Sequence, residues 1–311
     1  MHANLSTLHK TLHLIPVIPV YFIIFTVIYA FTQYYTFDTQ ASQYKYIIIL
    51  IFYYNAIMVL ICHSLSMLTN PGEVIVQPFN PELENFSNQE QHNPLFCKKC
   101  NGTRPERSHH CKICKKCVMK MDHHCPWIAN CVGLWNIKYF YLFLFYATLG
   151  DLIAFVCLYL KFSEIDLSQK FKDQKVSTLL ELLTVFREPL ILILAIMFAI
   201  AMTVSIGFLF VVQTRNLMND TTTLENLFEL KKKSGNNRRE MLENFKSIMG
   251  DKIYEWLIPM NFKCYSKSGE MKHTSKDSNK NISNNMNSYI SLTDNIQEFD
   301  DNIHITLNLS D

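Results

Sequence analysis

The chain has 311 residues, 49% of them hydrophobic and only 18% charged, with a formal net charge of +2. Soluble domains carry about 25% charged residues, so the composition leans towards a membrane protein. A charge so close to neutral argues against a dedicated nucleic-acid binder.

In chain order, four segments are long and apolar enough to cross roughly 30 Å of hydrocarbon: Leu14–Tyr34, Tyr46–Leu68, Tyr139–Leu160 and Leu190–Val212. The first is too long for a signal peptide, and no small-residue cleavage site follows it. Tyr34, Tyr44, Tyr46, Tyr139 and Tyr141 sit at segment ends, where an aromatic belt meets the headgroups. The N-terminus, residues 69–138 and the tail after the fourth segment hold 23 of the 29 Lys and Arg. The positive-inside rule places these three regions in the cytosol. The expected fold is an all-α polytopic membrane protein with four transmembrane helices and a cytosolic cysteine-rich domain between helices 2 and 3. Its expected divisions are 1–68 (helices 1 and 2), 69–138 (cysteine-rich domain), 139–213 (helices 3 and 4) and 214–265 (a cytosolic region with apolar anchors). Residues 266–311, rich in Asn, Ser, Lys and Asp, are expected to be disordered.

Seven of the ten cysteines fall between Cys97 and Cys131, interleaved with histidines. Such clustering signals metal ligation in a reducing compartment rather than a disulfide framework. The spacing is Cys97-x2-Cys100-x9-His110-Cys111-x2-Cys114-x2-Cys117, then Asp122-His123-His124-Cys125-x5-Cys131. Zinc takes four Cys or His ligands in a tetrahedron, and two closed sites would consume eight of the eleven candidates. A surplus cysteine beside two histidines needs a chemical explanation. A neighbouring imidazole raises the thiolate fraction of a cysteine, and Asp122 is placed to orient His123.

The whole segment from Cys97 to Phe140, including Asn136, resembles the DHHC cysteine-rich domain of protein S-acyltransferases, or palmitoyltransferases. The resemblance implies that Cys97, Cys100, His110 and Cys117 hold one zinc and Cys111, Cys114, His124 and Cys131 another. It implies that Cys125 is the nucleophile, with His123 as its base steadied by Asp122. The implied activity is transfer of a long-chain acyl group from acyl-CoA, through a Cys125 thioester, to cysteines of membrane-associated proteins. Arg104, Arg107 and His109 lie in a stretch similar to one that contacts coenzyme A phosphates in the family.

Outside this domain, Thr222-Thr223-Leu224-Glu225 resembles the family's TTxE motif, which implies that Thr223 hydrogen-bonds Asp122. Read alone, the four residues are a helix-capping signature. Thr69-Asn70-Pro71-Gly72 stands where the family has Asp-Pro-Gly, with Asn70 a departure. Asn244 and Trp256 resemble the family's C-terminal conserved region and are read as packing residues.

For the acyl chain, the family implies a cavity between the four helices, with Trp127 at its mouth. Phe140, Phe143, Ala147 and Gly150 recur on one helical face of the third segment, which suits either pocket lining or helix packing. Gly150 falls where the family places the side chain closing the deep end, so a glycine there suggests room for longer chains. Asp151 is costly in a membrane span and has no role assigned from sequence. Two rival classes are an inactive zinc-domain scaffold and a metal transporter. Intact Asp122, His123 and Cys125 weigh against the first. Only Asp151, Asn55 and His63 as polar candidates within the spans weigh against the second.

Overall fold

The computed structural model describes residues 14–36, 43–78, 96–166, 178–228 and 237–260, together with 264–265 and 271–272. Four helices organise it: α1 (Val17–Phe31), α2 (Gln43–Leu68), α3 (Ile137–Ser163) and α4 (Leu179–Met218). Among the described residues, α2, α3 and α4 are long and apolar enough to cross a membrane, and α1, at 15 residues, is shorter. A π-helical turn, Thr32–Thr36, follows α1.

Helices α2, α3 and α4 run past the segments read from hydropathy, whereas α1 falls short of its segment at both ends. At α4, Thr178 accepts from the Glu181 amide while Glu181 accepts from the Thr178 amide, a capping box that starts the helix well before Leu190. Helix α3 is apolar around most of its circumference and is the one most enclosed by its neighbours, with Phe140, Leu142, Leu144, Tyr146, Ala154 and Leu158 all buried. Stacked rings of Phe31 and Phe52, 3.7 Å between centroids, tie α1 to α2.

Between α2 and α3 the cysteine-rich segment is built from short strands, which corrects the all-α expectation. Strands β1 (Gln77–Pro78), β2 (Phe96–Cys97) and β3 (Gly102–Thr103) form one antiparallel sheet in the order β1-β3-β2. Strands β4 (Ser108–Cys111) and β5 (Lys116–Met119) make a hairpin, and β6 (His123–Cys125) and β7 (Asn130–Val132) make another. The physical reason is ligand spacing. The Cys97-x2-Cys100 and Cys111-x2-Cys114 turns are each followed by a residue with left-handed φ, Asn101 at 53° and Lys115 at 57°, which folds the backbone back on itself.

This domain is fastened to α2 by amides. Asn130 Nδ2 donates to the carbonyls of Ser66, Met67 and Thr69 at 2.9–3.3 Å, satisfying orphan groups at the helix C-terminus. Asn136, fully buried, donates to Ser66 O and Cys131 O and accepts from the Gly133 amide. Asn70 substitutes readily for an aspartate: its Oδ1 accepts from the Gly72 and Glu73 amides at 2.9 and 2.8 Å, an Asx turn that needs no charge. Gly72 then takes φ 106°, and Gly133 has no room for a Cβ against the Pro71 carbonyl and Val118.

After α4 come α5 (Thr223–Leu227) and α6 (Arg238–Met249). Asn244 donates to Met218 O at the end of α4, and Trp256 donates to Gly250 O while packing edge-on against Phe245. Buried Lys138 donates to Met249 O and Met260 O, closing this region onto the start of α3. In a separate unit, β8 (Cys264–Tyr265) pairs antiparallel with β9 (Met271–Lys272). The rest of the expected disordered tail lies outside the described residues.

Candidate active site

The eight expected metal ligands gather into two groups, Cys97, Cys100, His110 and Cys117, and Cys111, Cys114, His124 and Cys131. Within each group the donor atoms all lie within 4.8 Å of one another. In the first, His110 Nδ1 is 3.2–3.9 Å from the three sulfurs; in the second, His124 Nδ1 is 3.3–3.7 Å from its three. Those separations are the edges of a small tetrahedron, and three thiols with one imidazole are a closed donor set for a metal such as zinc. The two groups interlock, since β4 ends in His110 for one and Cys111 for the other. Each could hold a metal ion.

Adjacent residues of β6 are thereby separated by the strand's alternation. His124 turns to the second cluster, whereas His123 and Cys125 turn to the opposite side, where both line a cavity. Asp122 is buried and accepts from every neighbour: His123 Nδ1 at 2.7 Å, Gln213 Nε2 and Thr223 Oγ1 each at 2.9 Å on Oδ2, and the Thr223 amide at 2.6 Å on Oδ1. Burial pushes the Asp122 carboxyl up, but its bond to His123, the imidazole's charge and the Thr223 and Gln213 donors together hold it below the ordinary value. Burial lowers His123, but Asp122 and the Cys125 thiol outweigh it and bring the imidazole to about 9. With Nδ1 engaged by Asp122, Nε2 is the nitrogen left for Cys125. A thiol beside an imidazole that a buried carboxylate holds is an arrangement suited to nucleophilic covalent catalysis.

Both readings of the Thr-Thr-x-Glu run hold, on different residues. Thr222 and Glu225 form the capping box of α5, while Thr223 holds Asp122. Glu225 also binds Arg107. The Arg107 guanidinium donates to Glu225 Oε1 and Oε2 at 2.7 and 2.9 Å, to Asp220 Oδ2 at 2.8 Å and to Asp220 O at 2.8 Å. Its donors are committed to a strut between the cysteine-rich domain and the α4–α5 turn, which differs from the phosphate-binding part expected for it. Arg104 and His109 lie on the same loop and strand. Burial, then the charge of Arg104, keeps His109 below the ordinary imidazole value.

A cavity of about 540 Å³ runs from Cys125 into the helices. Every expected acyl-pocket residue lines it: Trp127, Phe140, Phe143 and Gly150. All of α1 to α4 contribute walls, and the polar lining is confined to a few residues. At the mouth, the Phe140 ring packs edge-on to His123, 5.5 Å between centroids. Gly150 does not simply add depth: a Cβ there would fall 2.5 Å from Asn55 Nδ2, so the Asn55 carboxamide occupies the space a side chain would take.

Residues 90–229 match the family model for DHHC palmitoyltransferase. Across 234 residues the chain is 33% identical to probable protein S-acyltransferase 12 of Arabidopsis thaliana, covering 71% of this chain and 74% of that one. The chain belongs to the DHHC protein S-acyltransferase family. It is also similar to palmitoyltransferase PFA3 of Candida glabrata, at 27% identity over 64% of this chain and 62% of that protein. Human palmitoyltransferase ZDHHC3 is 36% identical over 42% of this chain and 46% of its own length. This DHHC enzyme is therefore a protein S-acyltransferase with apolar helices suited to a membrane and two cysteine–histidine clusters that could hold metal ions.

Sequence reading missed three contributors to this DHHC site. Gln213 reaches Asp122 from α4, a contact across 91 residues that no local pattern announces. His63 Nε2 donates to Trp127 O at 3.1 Å and its Nδ1 lies 3.3 Å from the Tyr21 hydroxyl, pinning the turn after Cys125. Asn130 looked like a spacer between Cys125 and Cys131 but caps α2.

Proposed function

We propose that the chain moves a long-chain acyl group, palmitoyl or longer, from acyl-CoA through a Cys125 thioester to cysteine thiols of membrane-associated proteins. The observation that carries this reading is a single juxtaposition: a buried thiol beside the His123–Asp122 pair, opening onto an apolar cavity between the helices. Burying the chain there contributes about 0.8 kcal/mol per CH₂, so length and straightness of the acyl group become the basis of selection.

In the first step the Cys125 thiolate attacks the acyl carbonyl carbon, a C–S bond forms, and the bond to the coenzyme A sulfur breaks. The departing thiolate takes a proton from His123 Nε2. In the second step a client thiol gives its proton to His123, its sulfur attacks the acyl-enzyme, and Cys125 leaves as thiolate. Exchange of one thioester for another is nearly isoenergetic, so positioning and thiol activation carry the catalysis. Arg104 and His109 are the side chains we assign to the coenzyme A phosphates, with Arg107 holding the loop that presents them.

Zinc is the ion that best suits two closed Cys₃His donor sets, and its part is structural because neither set leaves an open position. We place α1 in the membrane as a fourth span, since Val20, Ile23, Ile24, Val27 and Ile28 line the same cavity as the three longer helices. Both termini and the cysteine-rich domain then face the cytosol, as the distribution of Lys and Arg favours. The bilayer, acyl-CoA and cysteine-bearing membrane proteins are the partners of this reading; nucleic acid has no part in it.

A pulse–chase tests it. Full-length enzyme in bilayer discs is charged with labelled palmitoyl-CoA and then offered a lipidated cysteine peptide. The expected result is loss of label from the enzyme matched by its gain on the peptide. Label that stays on the enzyme through the chase would contradict the transfer step.

A further inference from the structure

The cavity has polar groups at both ends, and catalysis uses only those at the mouth. Along α3, Gly150 and Asp151 lie ten or more residues beyond Phe140, about 15 Å of helix rise from the level of His123. Asn55 and Asp151 line the cavity at that far end. Asn55 is 2% exposed; its Nδ2 donates to Tyr146 O at 2.8 Å, which fixes the amide's orientation, and its Oδ1 is buried with no partner. Asp151 is 8% exposed and makes no hydrogen bond or ion pair among the described residues. Ser205, a further polar liner, is already bonded to Ala201 O.

Polar side chains in membrane helices ordinarily act as glue between helices, and Asn55 Nδ2 does so. That role leaves Oδ1 and Asp151 unexplained. A buried acceptor without a donor is costly, and an ionisable side chain inside a span is retained for a ligand or a pathway more often than by accident. A plain methyl terminus satisfies neither group. An O–H group satisfies both when Asp151 is protonated, donating to Asn55 Oδ1 and accepting from the Asp151 carboxyl. A charged terminus would have to shed its water to travel the apolar length of the cavity, which a hydroxyl does far more cheaply.

We propose that the far end of the cavity is a subsite for a hydroxyl carried near the ω-end of the acyl chain, held by Asn55 and Asp151. The proposal rests on the reading of the cavity as the acyl site, and makes hydroxylated long-chain acyl-CoA a favoured donor class.

The test compares pairs of donors of equal length: tetradecanoyl-, hexadecanoyl- and octadecanoyl-CoA, each against its ω-hydroxy form. The rate of thioester formation on Cys125 is measured for the full-length chain, Asn55→Leu and Asp151→Leu, and expressed as the hydroxy-to-plain ratio of each protein. Asp151→Leu removes no bond seen in the structure, so it guards against a folding defect in Asn55→Leu. For wild type the expected ratio is about tenfold in favour of the hydroxy form at one chain length, the worth of one good hydrogen bond. Either variant should bring it to about one or below. A wild-type ratio near one at every length, or a preference that survives both variants, overturns the subsite and leaves the two groups to water. If neither member of any pair labels Cys125, the acyl reading of the cavity fails and the subsite falls with it.

Discussion

His123→Ala and His124→Ala, one residue apart, should fail in entirely different ways. Loss of His124 removes one of four donors from the cluster with Cys111, Cys114 and Cys131, and those thiols are then crowded together without a closed site. Structural zinc contributes on the order of 10 kcal/mol to small domains of this kind, so the hairpin of β6 and β7 should unfold locally and take Cys125 with it. The expected outcome is one bound metal equivalent instead of two, measured by elemental analysis, with acylation at background. His123→Ala leaves both clusters intact. It should retain two equivalents and a native thermal transition, yet acylate at least about a hundredfold more slowly, the usual contribution of a general acid–base group. Equal metal loss in both variants would contradict the division of labour along β6.

The second large effect is expected at Asp122→Asn. All four contacts of this carboxylate are with donors: His123, Gln213, and the amide and hydroxyl of Thr223. An asparagine offers one acceptor oxygen, so its NH₂ must face at least one donor in a buried site. It also withdraws the negative charge that supports protonated His123. Single-turnover acylation should fall roughly 10³–10⁴-fold, the scale seen when the orienting aspartate of a catalytic triad is neutralised. Thr223→Val, which keeps the amide donor and loses only the hydroxyl, should cost much less. A wild-type rate in Asp122→Asn would remove Asp122 from the catalytic series.

What was legible in the sequence was whatever depended on local spacing. The four ligands of each cluster fall within a stretch of about twenty residues, Cys97 to Cys117 and Cys111 to Cys131, so cluster membership of all eight was open to reading once the family pattern was seen. Hydropathy likewise located α2, α3 and α4, since each is a continuous apolar run. The expectation of an all-α chain failed in the cysteine-rich segment because metal-ligand turns, rather than hydrophobic periodicity, shape that backbone. Gln213 and Arg107 show the other limit. Each acts through a partner about a hundred residues away, Asp122 in one case and Asp220 with Glu225 in the other. The basic stretch around Arg107 read as a phosphate grip because type and position suited one, while the acidic partners that occupy it lie beyond α4. Gly150 lines the cavity, but the room it leaves is taken by Asn55, which only the packing of α2 on α3 reveals.

In the proposed mechanism Cys125 carries the acyl group. Incubating the full-length chain with labelled palmitoyl-CoA, removing free donor, and treating with neutral hydroxylamine measures it directly. Hydroxylamine-sensitive label on the wild type that is absent from Cys125→Ser, with two metal equivalents present in both proteins, is the predicted result. Equal thioester label on both would contradict the account, placing the acyl group on another cysteine.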